Sequence, residues 1–368
     1  MRAIAIGILL GLAQAALGQS MADQREWPKT DFSKRTVELS EIESGGPPKD
    51  GIPAIDRPRF VGANAARAWL KPKEPVIALR MGRDVRAYPI QILMFHEIVN
   101  DTVNGVPVAV TFCPLCNASM VFERRVGEEV LDFGTTGRLR HSDLVMYDRQ
   151  TESWWQQFTG KGIVGHYAGT GLVRVPSEIV AFEDIRAAHP AGLVLSRETG
   201  FGRPYGRNPY AGYDRIDQVP FLLATKPDGR LPPMERVLSV TADGKHRLYP
   251  LTLLERHPVS NRELDGLPYV VFAKGGMASP LDQDQIAQGR PIPAATAFQR
   301  HLEGRVLTFE LREGRTLDRE TGSEWNILGE AVSGPLKGTR LPAIDSGVHF
   351  AFAWLAFNPQ SDIVRALP

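Results

Sequence analysis

The 368-residue chain has only two cysteines, Cys113 and Cys116. So few exclude a disulfide-knitted scaffold, and a four-thiolate zinc site lacks its second pair. Excess charge is missing too: 43 Lys and Arg stand against 42 Asp and Glu, a net charge of +1. That balance excludes the basic footprint of a nucleic-acid binder and the acidic surplus of a solvating tail. Long apolar runs are absent. The stretch Ile4 to Leu12 falls well short of the ~20 residues that span a bilayer, and no later segment does better. Nor is there a phosphate-cradling glycine loop, a nucleophile elbow or a basic aromatic stripe.

What is present is an ordinary globular composition, 43% hydrophobic, with 35 Gly and 28 Pro that favour turns and short strands. Arg2, the apolar run and the small residues Ala13-Gln14-Ala15-Ala16-Leu17-Gly18 read as a secretory signal over residues 1–18. The mature protein is therefore expected outside the cytoplasm, periplasmic or extracellular, without an integral membrane segment. Residues 19–70 are polar and turn-rich and read as an extended N-terminal arm.

The remainder repeats itself. Tyr88, His96, Asn100, Gly105 and Pro107 recur 161 positions on as Tyr249, His257, Asn261, Gly266 and Pro268. Val130-Leu131-Asp132-Phe133 returns as Val306-Leu307-Thr308-Phe309, and Asp148 to Trp155 as Asp318 to Trp325. The fold expectation is mainly β with a few short helices (α+β), in two tandem homologous domains. The first repeat covers 71–200, a linker 201–235, and the second, cysteine-free repeat 236–362. Within the first repeat, Val76 to Leu79 and Val85 to Ala87 read as a hairpin around Gly82-Arg83-Asp84. Ile90 to Asn100 and Ser177 to His189 read as short helices, and Val108 to Phe112 as a buried strand ending at Cys113. Met120 to Val126 and Val130 to Gly134 read as a further hairpin.

Thr111-Phe112-Cys113-Pro114-Leu115-Cys116-Asn117 sets a C-x-x-C directly after that strand. Three readings compete. A permanent Cys113–Cys116 disulfide would lock the turn, but so small a loop gains little from closure. Thiol–disulfide redox chemistry would make Cys113 the attacking thiolate and Cys116 the resolving one. The usual redox scaffold, however, places a helix after the motif, and Met120 onward alternates as a strand. A soft-metal site is the third reading: two thiolates with Met120 and His96 suit copper(I), with His141 and His166 as further histidine candidates. Zinc wants four closed ligands, which the spacing does not offer.

The repeat discriminates. Cys113 falls on Lys274 and Cys116 on Met277, so the second copy keeps the frame without the thiols. Residues shared by both copies, His96 included, default to structural roles. The thiols stand out as specialised chemistry. His96-Glu97-Ile98-Val99-Asn100 misses the H-E-x-x-H zinc pattern at its last position. Asp148, Arg149 and Trp154-Trp155 read either as cleft residues or as a surface ion pair beside core tryptophans.

Three segments carry a resemblance: Phe112-Cys113-Pro114-Leu115-Cys116, Leu144-Val145-Met146-Tyr147-Asp148-Arg149, and Asp318 through Trp325. They are similar to the exported prokaryotic proteins grouped as domain of unknown function 3179, over about residues 50–362. The resemblance implies export and one evolutionary unit, and brings no activity, substrate or cofactor with it. The functional expectation is an exported protein with a thiol site for copper or redox exchange, served by an unknown small molecule or an exported redox or metal partner. The alternative is a non-enzymatic module with a structural disulfide and a ligand between the repeats.

Overall fold

Side-chain alternation along Val76-Ile77-Ala78-Leu79 organises the molecule. Strand Pro75–Met81 pairs antiparallel with Asp84–Pro89 across the predicted turn. Its side chains point alternately to two sides, and both sides are buried. Ile77 and Leu79 join a core with Val110, Phe112, Cys113 and Cys116. Val76 and Ala78 join another with Val270, Phe272, Phe298 and Trp325 from the far end of the chain. Covering both faces is why the strand reads as a continuous apolar run. Strand Arg236–Ala242 does the converse: Leu238 and Val240 pack with Tyr249 and Val271, while Val237 enters the cysteine core.

The computed structural model describes residues 24–223 and 225–367. The expected signal segment lies outside the described residues. Strand accounts for 42% and helix for 10% of the chain, as a mainly β fold requires. One sheet runs Glu178–Ala181, Pro75–Met81, Asp84–Pro89, Leu193–Leu195, Phe60–Gly62; a second runs Asp345–Phe350, Arg236–Ala242, Lys245–Pro250, Asp362–Ile363. In both, the second strand of the central hairpin takes a parallel neighbour and the first strand an antiparallel one. Three-stranded sheets follow each hairpin: Ile98–Val103, Val106–Cys113, Ala118–Glu123, and Val259–Leu264, Leu267–Ala278, Pro291–Gln299. A further sheet runs from Phe133–Arg140 through Asp143–Asp148 and Trp154–Gln156 to Lys161–Val164. Its counterpart in order is Phe309–Arg312, Arg315–Asp318, Glu324–Trp325, Ala331–Ser333.

Two hydrogen-bonded knots occur twice. The Asn100 side chain brackets the Phe133 backbone, accepting its N–H at 3.0 Å and donating to its carbonyl at 2.8 Å; Asn261 does the same to Phe309 at 2.9 and 2.7 Å. Asp148 accepts the Thr151 N–H at 2.6 Å and the Trp155 indole at 2.9 Å, and Asp318 accepts Thr321 and Trp325 at the same distances. Asp148 and Trp155 are thus core, and line no cleft.

Several local expectations change. The helix at Ile90 stops at Leu93, because Glu97 turns left-handed (φ 58°) and Ile98 opens a strand. The second helix begins at Phe182, preceded by strand Glu178–Ala181. The hairpin after Met120 is split: Ala118–Glu123 pairs with Val106–Cys113, Arg125–Val126 with Glu129–Val130, and Phe133 opens a new long strand. The arm is built in. Trp27 is fully buried, Ile42–Ser44 adds an edge strand to Phe133–Arg140, and Ile55 bridges to Val99. No helix among the described residues is long and apolar enough to cross a membrane.

Candidate metal centre

The cysteines sit on a hairpin connection. Strands Val106–Cys113 and Ala118–Glu123 pair in the register Thr111↔Met120 and Cys113↔Ala118, leaving Pro114 to Asn117 as the loop. The Asn117 N–H donates to the Pro114 carbonyl at 3.2 Å. Asn117 itself is left-handed (φ 49°), a conformation that asparagine tolerates better than most residues. A strand follows, so the motif does not open a helix of its own. The Cys116 carbonyl accepts the Phe350 N–H at 2.9 Å, which brings the cysteine-free half against the loop.

A second hairpin supplies the rest. Arg140 pairs with Asp143, so His141 and Ser142 form a two-residue turn, both with positive φ (53° and 67°). Such turns normally take Asn-Gly, and each non-glycine residue there costs roughly 1–2 kcal/mol. The strained turn carries the Ser142 carbonyl to within 3.4 Å of the Cys116 sulfur and 3.8 Å of the Cys113 sulfur. It also delivers Asp143. The two cysteines lie 3.7 Å apart, and one ligand atom from each of Cys113, Cys116 and Asp143 falls within 4.8 Å of the others. Asp143 Oδ2 accepts from Gln156 Nε2 at 2.6 Å and from the Phe158 N–H at 2.9 Å. Its Oδ1 is buried without a hydrogen-bond partner.

The electrostatics are acidic. Burial pushes the Asp143 carboxyl up to about 7, against the hydrogen bonds from Gln156, Phe158 and the two thiols. Burial, helped by Asp143, pushes Glu97 up to about 8. Both thiols are driven above their ordinary range by burial. For Cys113 the hydrogen bond with Cys116 opposes the rise, and for Cys116 every further contribution adds to it. The charges that raise the thiols are the Asp143 carboxyl, with Glu97 also acting on Cys113 and Cys113 itself acting on Cys116.

Beside the sulfurs lies a cavity of about 570 Å³. Leu115, from between the cysteines, and Leu144, next to Asp143, form part of its wall, with Glu97, Tyr210 and Tyr213. Tyr210 and Tyr213, from the segment expected as a linker, line it.

The expected ligands divide. Cys113 and Cys116 meet, at 2% and 0% exposure. Met120 is buried in the same core and stands on the Cys113 side of the sheet by register. His96 is not among the gathered groups: its Nδ1 lies 2.7 Å from the Pro53 carbonyl and its Nε2 2.6 Å from the Tyr205 hydroxyl. His141 lies 3.6 Å from Glu41, and His166 is exposed. Sequence reasoning missed Asp143 and Glu97. A signal for Asp143 existed. Phe133 pairs with Asp148 and Phe309 with Asp318, so the first hairpin is six residues longer, and its extra tip bears Ser142 and Asp143. Like the thiols, that tip is missing from the second half.

A family profile described as protein of unknown function (DUF3179) matches residues 49–361, and the chain belongs to that family. Neither a curated protein nor a solved structure matches it.

Proposed function

We propose that Cys113, Cys116 and Asp143 bind a soft metal ion, copper(I) foremost, in an exported protein built by internal duplication. The observation that carries the reading is the convergence of two thiols and a carboxyl within 4.8 Å, all buried, with one carboxylate oxygen unpartnered. A desolvated carboxyl is costly without a partner, and a cation is the group that would satisfy all three ligands at once. Two thiolates already suit copper(I), whereas zinc would want a fourth ligand, and no further His, Cys, Asp or Glu joins this group among the described residues. Ligation needs deprotonated thiols, so binding releases protons that burial otherwise holds on sulfur. The redox reading fares worse: exchange requires a partner to reach a sulfur, and both are sealed. The duplication draws support from the matching strand orders and from the paired Asn and Asp knots, with repeats at 71–200 and 236–362. Export draws on the N-terminal sequence and on family membership.

The test is anaerobic purification followed by elemental analysis and a thiol count on one sample. One copper per chain with two protected thiols is expected. Asp143→Asn should weaken binding, Cys113→Ser/Cys116→Ser should abolish it, and His96→Gln should leave it intact. A metal-free protein whose Cys113–Cys116 disulfide resists glutathione would overturn the reading in favour of a structural bridge.

A further inference from the structure

We propose that the cavity roofed by residues 210–222 binds a small, mainly apolar, uncharged organic molecule, held through one hydrogen-bonding group at Glu97. This goes beyond the metal reading and does not depend on it.

The cavity is assembled from three distant stretches: the arm (Pro47, Ile52), the two site hairpins (Leu115, Leu144), and the roof. Its volume suits a small organic ligand. The roof is firmly tied on one side. Asp214, fully buried, takes Arg236 at 2.9 Å and Arg290 at 2.8 Å, and the Gly212 N–H donates to the Asp282 carbonyl at 2.8 Å. Beyond Asp214 the ties become local: Arg215 N–H to the Gly212 carbonyl, the Arg215–Asp217 pair, Gln218 N–H to the Arg215 carbonyl, and Phe221 N–H to the Tyr213 hydroxyl at 3.2 Å. That locally tied stretch shows apolar side chains to solvent: Ile216 is 53% exposed, Val219 74% and Phe221 48%. Val219 and Phe221 also line the cavity, so an apolar rim runs continuously into an apolar interior.

Glu97 is the acidic residue of this wall. Its carboxyl lines the cavity, is almost wholly buried, and makes no hydrogen bond to any described residue. Its backbone is held at φ 58° by bonds from the Glu97 N–H to the Leu93 carbonyl and from the Phe112 N–H to the Glu97 carbonyl. A strained, non-glycine residue that aims an unpaired carboxyl into a cavity is where a ligand contact is expected. The remaining charges decide the ligand's class. Among the lining residues the one basic side chain that could receive an anion is Arg138. Arg138 at the rim is engaged with Glu26 and with the Trp154 ring. The rest of the wall offers a charged head no water in exchange for what it would lose.

The test uses N-phenyl-1-naphthylamine and its 8-sulfonate, which share a ring system and differ by one negative charge. Fluorescence titration of the full chain should give one saturable site for the uncharged probe, and binding at least about ten-fold weaker for the sulfonate. Glu97→Leu and Val219→Asp should each weaken the uncharged probe by about five- to ten-fold, a factor of ten corresponding to 1.4 kcal/mol. Val173→Asp, at another exposed valine (61% against 74% for Val219), should not. Because Val219 is on the surface, its variant keeps the test alive should Glu97→Leu fail to fold. Cys113→Ser/Cys116→Ser should bind the probe like wild type even when it holds no metal, which separates this inference from the metal reading. Non-saturable binding, equal affinity for both probes, or indifference to Val219→Asp would overturn it.

Discussion

Glu97→Gln should remove a pH dependence of stability that the wild-type protein carries. In the folded, metal-free protein the buried carboxyl holds its proton up to about pH 8, whereas the unfolded chain releases it near the ordinary value of 4.5. The folded state therefore binds more protons through this interval, and stability must fall as pH rises. The contribution is fully present below about pH 4.5 and is lost by about pH 8. One pKa unit is worth about 1.4 kcal/mol, so between pH 5 and 7.5 the wild type should lose at most roughly 3 kcal/mol through Glu97. Asp143, raised to about 7, adds a slope of the same sign in both proteins. The difference between wild type and variant isolates Glu97. The assay is urea unfolding of metal-free protein at pH 5 and 7.5. The variant should gain on the wild type at the higher pH and match it at the lower. Parallel loss in both proteins would refute a carboxyl held protonated by its surroundings.

Other consequences follow from the packing. Asp148→Ala and Asp318→Ala each strand a threonine and a buried indole N–H, so both should cost roughly 2–4 kcal/mol by thermal unfolding, and by similar amounts. Gly137→Ala would push a methyl to 1.9 Å from the Pro47 carbonyl oxygen, which backbone cannot yield. Limited proteolysis should then cut the arm faster, whereas Gly105→Ala, at a similar φ but with open space around it, should cost only about 1 kcal/mol and leave the arm protected. Trp27→Ala empties a fully buried site and should cost about 3–5 kcal/mol, read as a lowered urea midpoint.

Much of the scaffold was legible because its signals are local. The hairpin at Gly82, the strand into Cys113 and the strand after the C-x-x-C each follow from apolar patterning within a few residues. The helix at Ile90 was overextended because periodicity cannot register a single left-handed residue such as Glu97. The arm looked loose because its anchors are scattered: Trp27, Ile42 and Ile55 each find partners about 45 to 120 positions away, too far apart for any local pattern. The sulfur pair was legible as unusual through its absence from the second half. Its carboxyl partner was not, since Asp143 lies 27 positions beyond Cys116 and arrives only through the strained His141-Ser142 turn. His96 drew attention by residue type, and both its nitrogens prove to be spoken for.

The strand carrying Val76 to Leu79 is walled on one side by its own neighbourhood and on the other by residues some two hundred positions later. A gene cut anywhere in 201–235 would therefore yield fragments that each leave an oily sheet face naked in water. Neither piece should remain in solution alone, yet the two expressed together have reciprocal faces with which to reassemble. Heritable damage at Phe350, in the portion without sulfur, would reach the Cys116 loop through the core that both share, beside the backbone bond between them.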